Sequence, residues 1–308
     1  MKKYLPEGHI FDTKENKLAF HSPLSLADAY TKNQLLEARA TMCDSEHNLI
    51  VDLDCMKGII PRCEGAIGIE DGSVRDIAII SRVGKPVCFV ITGFDVDEQN
   101  QPIAILSRRK AQKMCMADFI AKLEIGDVIS AKVTHLEPFG AFCDIGCGIP
   151  SLLPIDAISV SRISHPKDRF SPGDNIKAVV KSIENGRITL SQKELLGSWA
   201  ENAQLFSQGQ TVSGIIRSVE DYGVFVELMP NLAGLAEPKD GVYPSQQASV
   251  YIKSIIPEKM KVKLIIIDSF DAFYTPKPVK YFYTGNHIES WQYSPMGSGK
   301  VIESVFAV

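Results

Sequence analysis

The sequence predicts a mainly β protein of tandem small five-stranded barrels, and three observations carry that prediction. Laid against itself at an offset of 83 positions, the chain repeats without a gap. Gly126-Asp127-Val128-Ile129-Ser130 falls on Gly209-Gln210-Thr211-Val212-Ser213, and Glu137-Pro138-Phe139-Gly140-Ala141-Phe142 falls on Glu220-Asp221-Tyr222-Gly223-Val224-Phe225. So long an offset marks whole domains rather than the roughly 20–50-residue units of a solenoid. Inside the repeat, Ile129, Ala131 and Val133 alternate with Ser130, Lys132 and Thr134, the period of two of a half-buried strand. Turn signals at Pro138, Asn185-Gly186 and Gly285-Asn286 separate short apolar, β-branched runs such as Val179-Val180 and Lys263-Leu264-Ile265-Ile266-Ile267. Several short strands in a closed unit of this size suggest a five-stranded barrel.

Taken in order, residues 1–35 read as an N-terminal arm and 36–107 as a degenerate copy of the repeat. Residues 108–124 form a basic helical linker, in which Met116, Phe119, Ile120 and Leu123 follow i, i+3, i+4, i+7. Residues 125–192 hold the complete barrel. Residues 193–208 are a second helical linker with the stripe Leu196, Trp199, Ala203 and Phe206. Each stripe is expected to pack against a barrel. Residues 209–308 form the third barrel, with four strands matched over 209–268. Its end, Lys280-Tyr281-Phe282-Tyr283, the Gly285-Asn286 turn and His287 to Tyr293, reads as a hairpin replacing or completing the fifth strand.

Composition narrows the function. No stretch approaches the roughly 20 continuous apolar residues of a membrane-spanning helix. The start, Met1 to His9, carries Lys2 and Lys3 without an apolar run behind them, so no secretory signal is expected. Seven cysteines without a C-x-x-C pair fit a reducing cytoplasm better than a disulfide framework or a structural zinc site. No nucleophile–base spacing, metal cluster or carboxylate pair stands out, so neither enzymatic activity nor a cofactor is expected. Gly297-Ser298-Gly299-Lys300 looks like part of a phosphate loop, but the full motif needs Gly at Ser294 and Ser or Thr at Val301. The net charge of −4 is unevenly spread: residues 1–107 hold 11 Lys+Arg against 16 Asp+Glu, whereas 108–124 hold five against two. A polyanion would therefore be bound beyond the first third.

Residues 125–193 resemble the RNA-binding repeat of the bacterial ribosomal protein S-one family. The matching residues are Gly126-Asp127-Val128, Phe139-Gly140-Ala141-Phe142-Cys143-Asp144, Ser151-Leu152-Leu153-Pro154, Pro172-Gly173-Asp174 and Gly186-Arg187-Ile188-Thr189-Leu190-Ser191-Gln192-Lys193. The first third resembles a degraded copy through Lys57-Gly58-Ile59-Ile60-Pro61 and Ile103 to Lys110, with His47 and Ile50 where the rings should be. Together the segments are similar to a shortened member of that family. The resemblance implies OB-fold barrels and an RNA face using both aromatics of the second-strand motif, a His ending the third strand and an Arg opening the fifth. Carried over, these are Phe139, Phe142 and Arg187, with Pro154 at the His position. Lys132 and Lys181 stand on outward positions within reach of phosphates. In the third repeat Tyr222 and Phe225 keep the rings, Glu237 stands at the His position, and no matching Arg is found.

Unpaired bases stack on such rings for roughly 1–3 kcal/mol each, largely regardless of sequence. Single-stranded RNA has splayed bases to offer and an A-form duplex does not. The expected function is thus low-specificity binding of single-stranded RNA, mRNA above all, in translation. The resemblance adds docking on the small ribosomal subunit through residues 1–107. Two alternatives stand beside it: a protein-interaction adaptor built on OB scaffolds, and an RNA-binding regulator away from the ribosome. With few cations evident, the salt dependence of binding is expected to be shallow, a log–log slope of about −2 to −3.

Overall fold

The computed structural model describes residues 4–271 and 279–306. Lys2 and Lys3 of the N-terminal arm lie outside them. Three closed five-stranded barrels follow one another along the chain, as the repeat predicts. Each has the order of an OB-type barrel, with the third and fifth strands parallel and the other described pairs antiparallel. By contacts the chain divides into two compact units. One holds residues 4–123 with 130–132 and 144–150; the other holds the remainder.

The first unit opens with helices α1 (Lys14–Ala19) and α2 (Pro23–Thr31), each started by a side-chain cap, Thr13 and Ser22. The barrel follows as β1 (Leu36–Cys43), β2 (Leu49–Asp52), β3 (Lys57–Ile60), a short helix α3 (Ile77–Ile80), β4 (Pro86–Val96) and β5 (Pro102–Ser107). The arm is not loose: Ala19, Phe20, Leu26 and Ala29 join the same core as Leu36, Val51, Phe89 and Leu106. Helix α4 (Arg108–Asp118) then runs only to Asp118, and a 3-10 turn carries Ile120. The predicted stripe is therefore split. The helix buries Arg108, Ala111, Gln112 and Cys115 instead.

Arg108 explains that choice. Its guanidinium donates to Glu7 at 2.6 and 3.1 Å, and Arg82 adds a bond at 3.2 Å. Burial works against the Glu7 charge, but the two guanidiniums hold its carboxyl below the usual range. Next to it, Asp144 accepts the Glu7 N–H at 2.7 Å, and Glu37 Oε2 accepts the N–H groups of Gly8, Ile10 and Phe11. Burial, aided by the nearby Glu7 charge, pushes Asp144 up to about 7 and Glu37 up to about 8. The three N–H groups at Glu37 Oε2 favour the charged form and oppose its upward shift without cancelling it.

The second barrel comprises β6 (Val128–Glu137), β7 (Gly140–Asp144), β8 (Pro150–Pro154), the short helix α5 (Ile155–Ile158), β9 (Asn175–Glu184) and β10 (Arg187–Ser191). A 3-10 turn and α6 (Trp199–Ala203), closed by a full capping box from Ser198 and Glu201, lead to the third. Trp199 and Ala203 enter the third barrel's core with Val224, Val250 and Leu264, and Phe206 packs against it, as the second stripe predicts. The third barrel is β11 (Thr211–Glu220), β12 (Gly223–Met229), β13 (Leu232–Ala236), β14 (Gln247–Ile256) and β15 (Lys261–Phe270).

Within the second unit, polar nodes fix these two barrels to each other. Glu227 of β12 accepts from Arg169 at 2.6 Å and Arg217 at 2.9 Å, all three side chains being almost fully buried. Asn231 accepts the Val160 N–H and donates to the carbonyls of Lys193 and Gly197.

The hairpin reading of the C-terminus is corrected here. Residues 261–270 already supply a complete fifth strand, so the third barrel closes without the tail. Residues 280–288 lie along the second barrel: Tyr281 Oη accepts the Lys177 N–H, and the Phe282 N–H donates to the Leu195 carbonyl. Ile288 and Phe306 pack with Val128, Val179 and Leu195. Among the described residues, strands β16 (Ser290–Gln292) and β17 (Glu303–Val305) form a separate two-stranded sheet. The error has a physical origin. Twenty residues, 155–174, separate β8 from β9, whereas ten, 237–246, separate β13 from β14. Past Glu237 the offset of 83 no longer holds, and the fifth strand arrives earlier than the repeat suggests.

Candidate nucleic-acid interface

In the second barrel the ring pair sits where β6 turns into β7. Pro138 and Phe139 form the turn, and Gly140 opens β7. A side chain at Gly140 would place its Cβ 2.5 Å from the Leu153 carbonyl oxygen, so only glycine lets β7 approach β8 there. That approach, with the Ile155 N–H donating to the Phe139 carbonyl at 2.9 Å, holds the turn and aims Phe139 outward. The Phe139 ring is 55% exposed and Phe142 is half-buried. Their centroids stand 6.1 Å apart at 89°, so the two faces point in different directions. Core residues would not be left so open.

A third ring joins them. His135 on β6 lies nearly parallel to Phe142, 6.5 Å between centroids at 27°, and is steadied by Glu137 at 2.7 Å. In the sequence His135 stands away from the other histidines and outside the ring motif. The signal for this one is that Thr134 bonds the Phe142 carbonyl, which makes His135 its cross-strand neighbour. Arg187 opens β10, exposed and without an ion-pair partner among the described residues. Since β8 lies between β7 and β10, Arg187 stands two strands away from Phe142 on the same sheet. Lys181 is exposed beside a bulge in the β9–β10 pairing. Lys132 is half-buried and already has a partner within the protein: its ammonium donates to the Glu7 carbonyl at 2.9 Å, which leaves it less open to a phosphate than Arg187 or Lys181.

The third barrel repeats the device. Tyr222 is 68% exposed, and its ring stands 6.1 Å from Phe225 at 86°. Gly223 plays the part of Gly140, its added Cβ falling 2.5 Å from the Ala236 carbonyl. The parallel pairing then locates what the sequence missed. Thr189 of β10 faces Leu152, and Lys263 of β15 faces Leu235. Two residues before each stand Arg187 and Lys261. Lys261 is therefore the counterpart of Arg187, and Lys263 adds a second cation on the same face. Glu237, at the expected His position, pairs with Lys253 at 3.2 Å.

The first barrel has the same register without the chemistry. Ile50 pairs with Ile59, and Ile59 with Ile105, which puts Ile103 and Ile105 where Lys261 and Lys263 stand. His47 sits in the β1–β2 turn 3.4 Å from Asp76, which Arg62 already holds at 2.7 Å. No metal-binding group of three or more His, Cys, Asp or Glu occurs among the described residues. No helix there is long and apolar enough to cross a membrane.

Closed five-stranded barrels with exposed ring pairs define a tandem protein of the OB type. Residues 122–193, the second barrel with its flanks, match the family model described as "S1 RNA binding domain". Over most of its length the chain is similar to bacterial small ribosomal subunit protein bS1. The bS1 of Leuconostoc lactis is 30% identical over 230 residues, covering 71% of this chain and 50% of that protein. The bS1 homolog of Bacillus subtilis is 31% identical, covering 71% and 56%. The chain thus spans about half the length of the curated relatives it matches. Among solved structures, a multidomain protein with nucleic acid binding domains from Streptococcus pneumoniae aligns over 79% of this chain and 76% of its own, at 14% identity and a TM-score of 0.25.

Proposed function

We propose that the protein binds single-stranded RNA, mRNA in particular, with little sequence preference, and that it does so in translation at the small ribosomal subunit. The observation that carries this reading is the recurrence, at one register in two successive barrels, of an outward edge-to-face ring pair with a cation opening the fifth strand. Bases stack on the rings whatever their identity. Arg187 and Lys181 in the second barrel, and Lys261 and Lys263 in the third, take the phosphates. The first barrel, acidic and with His47 and Ile50 in place of the ring pair, contributes protein contacts and almost no RNA affinity. Similarity to bS1 supports the ribosomal setting.

The test is fluorescence anisotropy of a labelled oligoribonucleotide with the full chain. Unstructured oligomers of different composition should bind alike, and the same strand annealed into a duplex should bind far more weakly. Equal binding of the duplex would overturn the reading. The ribosomal part is tested by co-sedimentation with purified small subunits, where absence of the chain from the pellet would overturn it.

A further inference from the structure

We propose that the C-terminal turn between β16 and β17, which lies outside the barrel repeat, forms one wall of the third barrel's RNA groove, with Lys300 holding a phosphate of the strand whose bases stack on Tyr222 and Phe225. The proposal rests on the RNA-binding reading above and adds a binding element to it. A groove of about 860 Å3 runs over β13 and the start of β15. On the barrel side it is lined by Tyr222, Phe225, Lys261 and Lys263; on the other side stand Ser298, Gly299 and Lys300.

The turn is built to stay there. Tyr293 is buried in the third core and its hydroxyl donates to the Asn231 carbonyl at 2.6 Å. The Tyr293 N–H donates to the Ile302 carbonyl and Ser294 Oγ accepts the Ile302 N–H, both at 2.9 Å. The base is thus clamped to the barrel, while the small residues Gly297, Ser298 and Gly299 leave the tip open for close approach. No helix follows, so this is not a nucleotide-binding loop; it is a short cationic edge.

Charge identifies the occupant. Five lysines line the groove, Lys253, Lys259, Lys261, Lys263 and Lys300, against Glu237 and Glu258. Lys253 is taken by Glu237. The other four have no ion-pair partner among the described residues and repel one another across the groove until an anion enters. An acidic peptide would answer the charge alone. A single strand of RNA answers both the charge and the rings of exposed Tyr222 and half-buried Phe225 that line the same groove.

The experiment uses the full chain and a fluorescent oligouridylate. Lys300→Gln, on an exposed turn, should weaken binding about two- to fivefold near 0.1 M salt and make the log–log salt slope shallower by about 0.7, the share of one phosphate on a single strand. In parallel, acetylation of Lys300 by an amine-reactive ester should be suppressed by RNA together with that of Lys261, while Lys14 on α1 reacts unchanged. If wild type binds RNA but Lys300→Gln keeps the wild-type slope and Lys300 reacts equally with and without RNA, the tail is no part of the track, and the barrel reading stands without it. If wild type does not bind the oligonucleotide, both fall. If polyglutamate protects Lys300 and displaces the RNA at equal charge concentration, the groove belongs to an acidic protein segment and the proposal is overturned.

Discussion

Replacing Phe139 with alanine separates a stacking ring from a core ring more sharply than any other change in this chain. With 55% of the residue exposed, less than half of its apolar surface is at stake in folding. Full burial of a phenylalanine is worth about 1.5–3 kcal/mol, so the loss of stability should be near 1 kcal/mol. The backbone bond from Ile155 to the Phe139 carbonyl survives the substitution. The expected loss in binding is about 1–3 kcal/mol for one stacked base, a roughly 5- to 150-fold rise in Kd. Phe142→Ala should lose as much binding and more stability, because that ring is half-buried between His135 and Phe139. Anisotropy titration gives the first quantity. Amide exchange over β6–β10 gives the second; Phe89→Ala, read by exchange over β1–β5 of its own barrel, is the reference for a fully buried ring, where about 3–5 kcal/mol is expected. Phe139→Ala with unchanged affinity, or with a stability loss equal to that of Phe89→Ala, would refute the argument.

Further expectations follow from the same geometry. Glu227→Ala strands Arg169 and Arg217 in a buried site and should destabilise the second unit by about 3–5 kcal/mol, read from the emission of Trp199 and Trp291 in urea; a loss under about 1 kcal/mol would show the network to be solvated. Glu37 and Asp144 have raised pKa values, about 8 and about 7, so between pH 4.5 and 8 the folded first unit binds more protons than the unfolded chain, and its stability should fall as pH rises through that window. Glu37→Gln should flatten the fall, measured by pulse proteolysis in urea with cleavage mapped to residues 4–123; an unchanged pH profile would mean that Glu37 is ionised when folded. With Arg187, Lys181, Lys259, Lys261, Lys263 and Lys300 each meeting a phosphate, the log–log salt slope should be about −4, and a slope near −1 would deny the third barrel its part. His47→Ala and Ile50→Ala should leave RNA affinity unchanged, and a fivefold loss in either would place the first barrel on the RNA track.

The fold was legible because barrel strands alternate and because the two copies share an offset up to Glu237. Legibility ended where a loop changed length. The cation opening β15 is hidden in the sequence for the same reason as the fifth strand: both sit beyond the shortened 237–246 connection, and the cation is a lysine where the second barrel has an arginine. Only the parallel pairing of β13 with β15 reveals Lys261 as the counterpart of Arg187. Tertiary partners hid the rest. Lys132 alternates outward on β6 as expected, but an outward position says nothing about a carbonyl from residue 7 arriving to claim its ammonium. His135 looked isolated because its partner, Phe142, is a cross-strand neighbour seven residues away. In each case the residue's own strand was read correctly and its neighbour came from another strand or a distant segment. The second barrel therefore offers three rings and few cations, and the third offers two rings and a line of lysines. A strand crossing both would be held mainly by stacking on the first of these faces and mainly by charge on the second. Raising salt should then release the third barrel's share of the affinity before the second's, so Tyr222→Ala should cost less affinity, relative to Phe139→Ala, at high salt than at low.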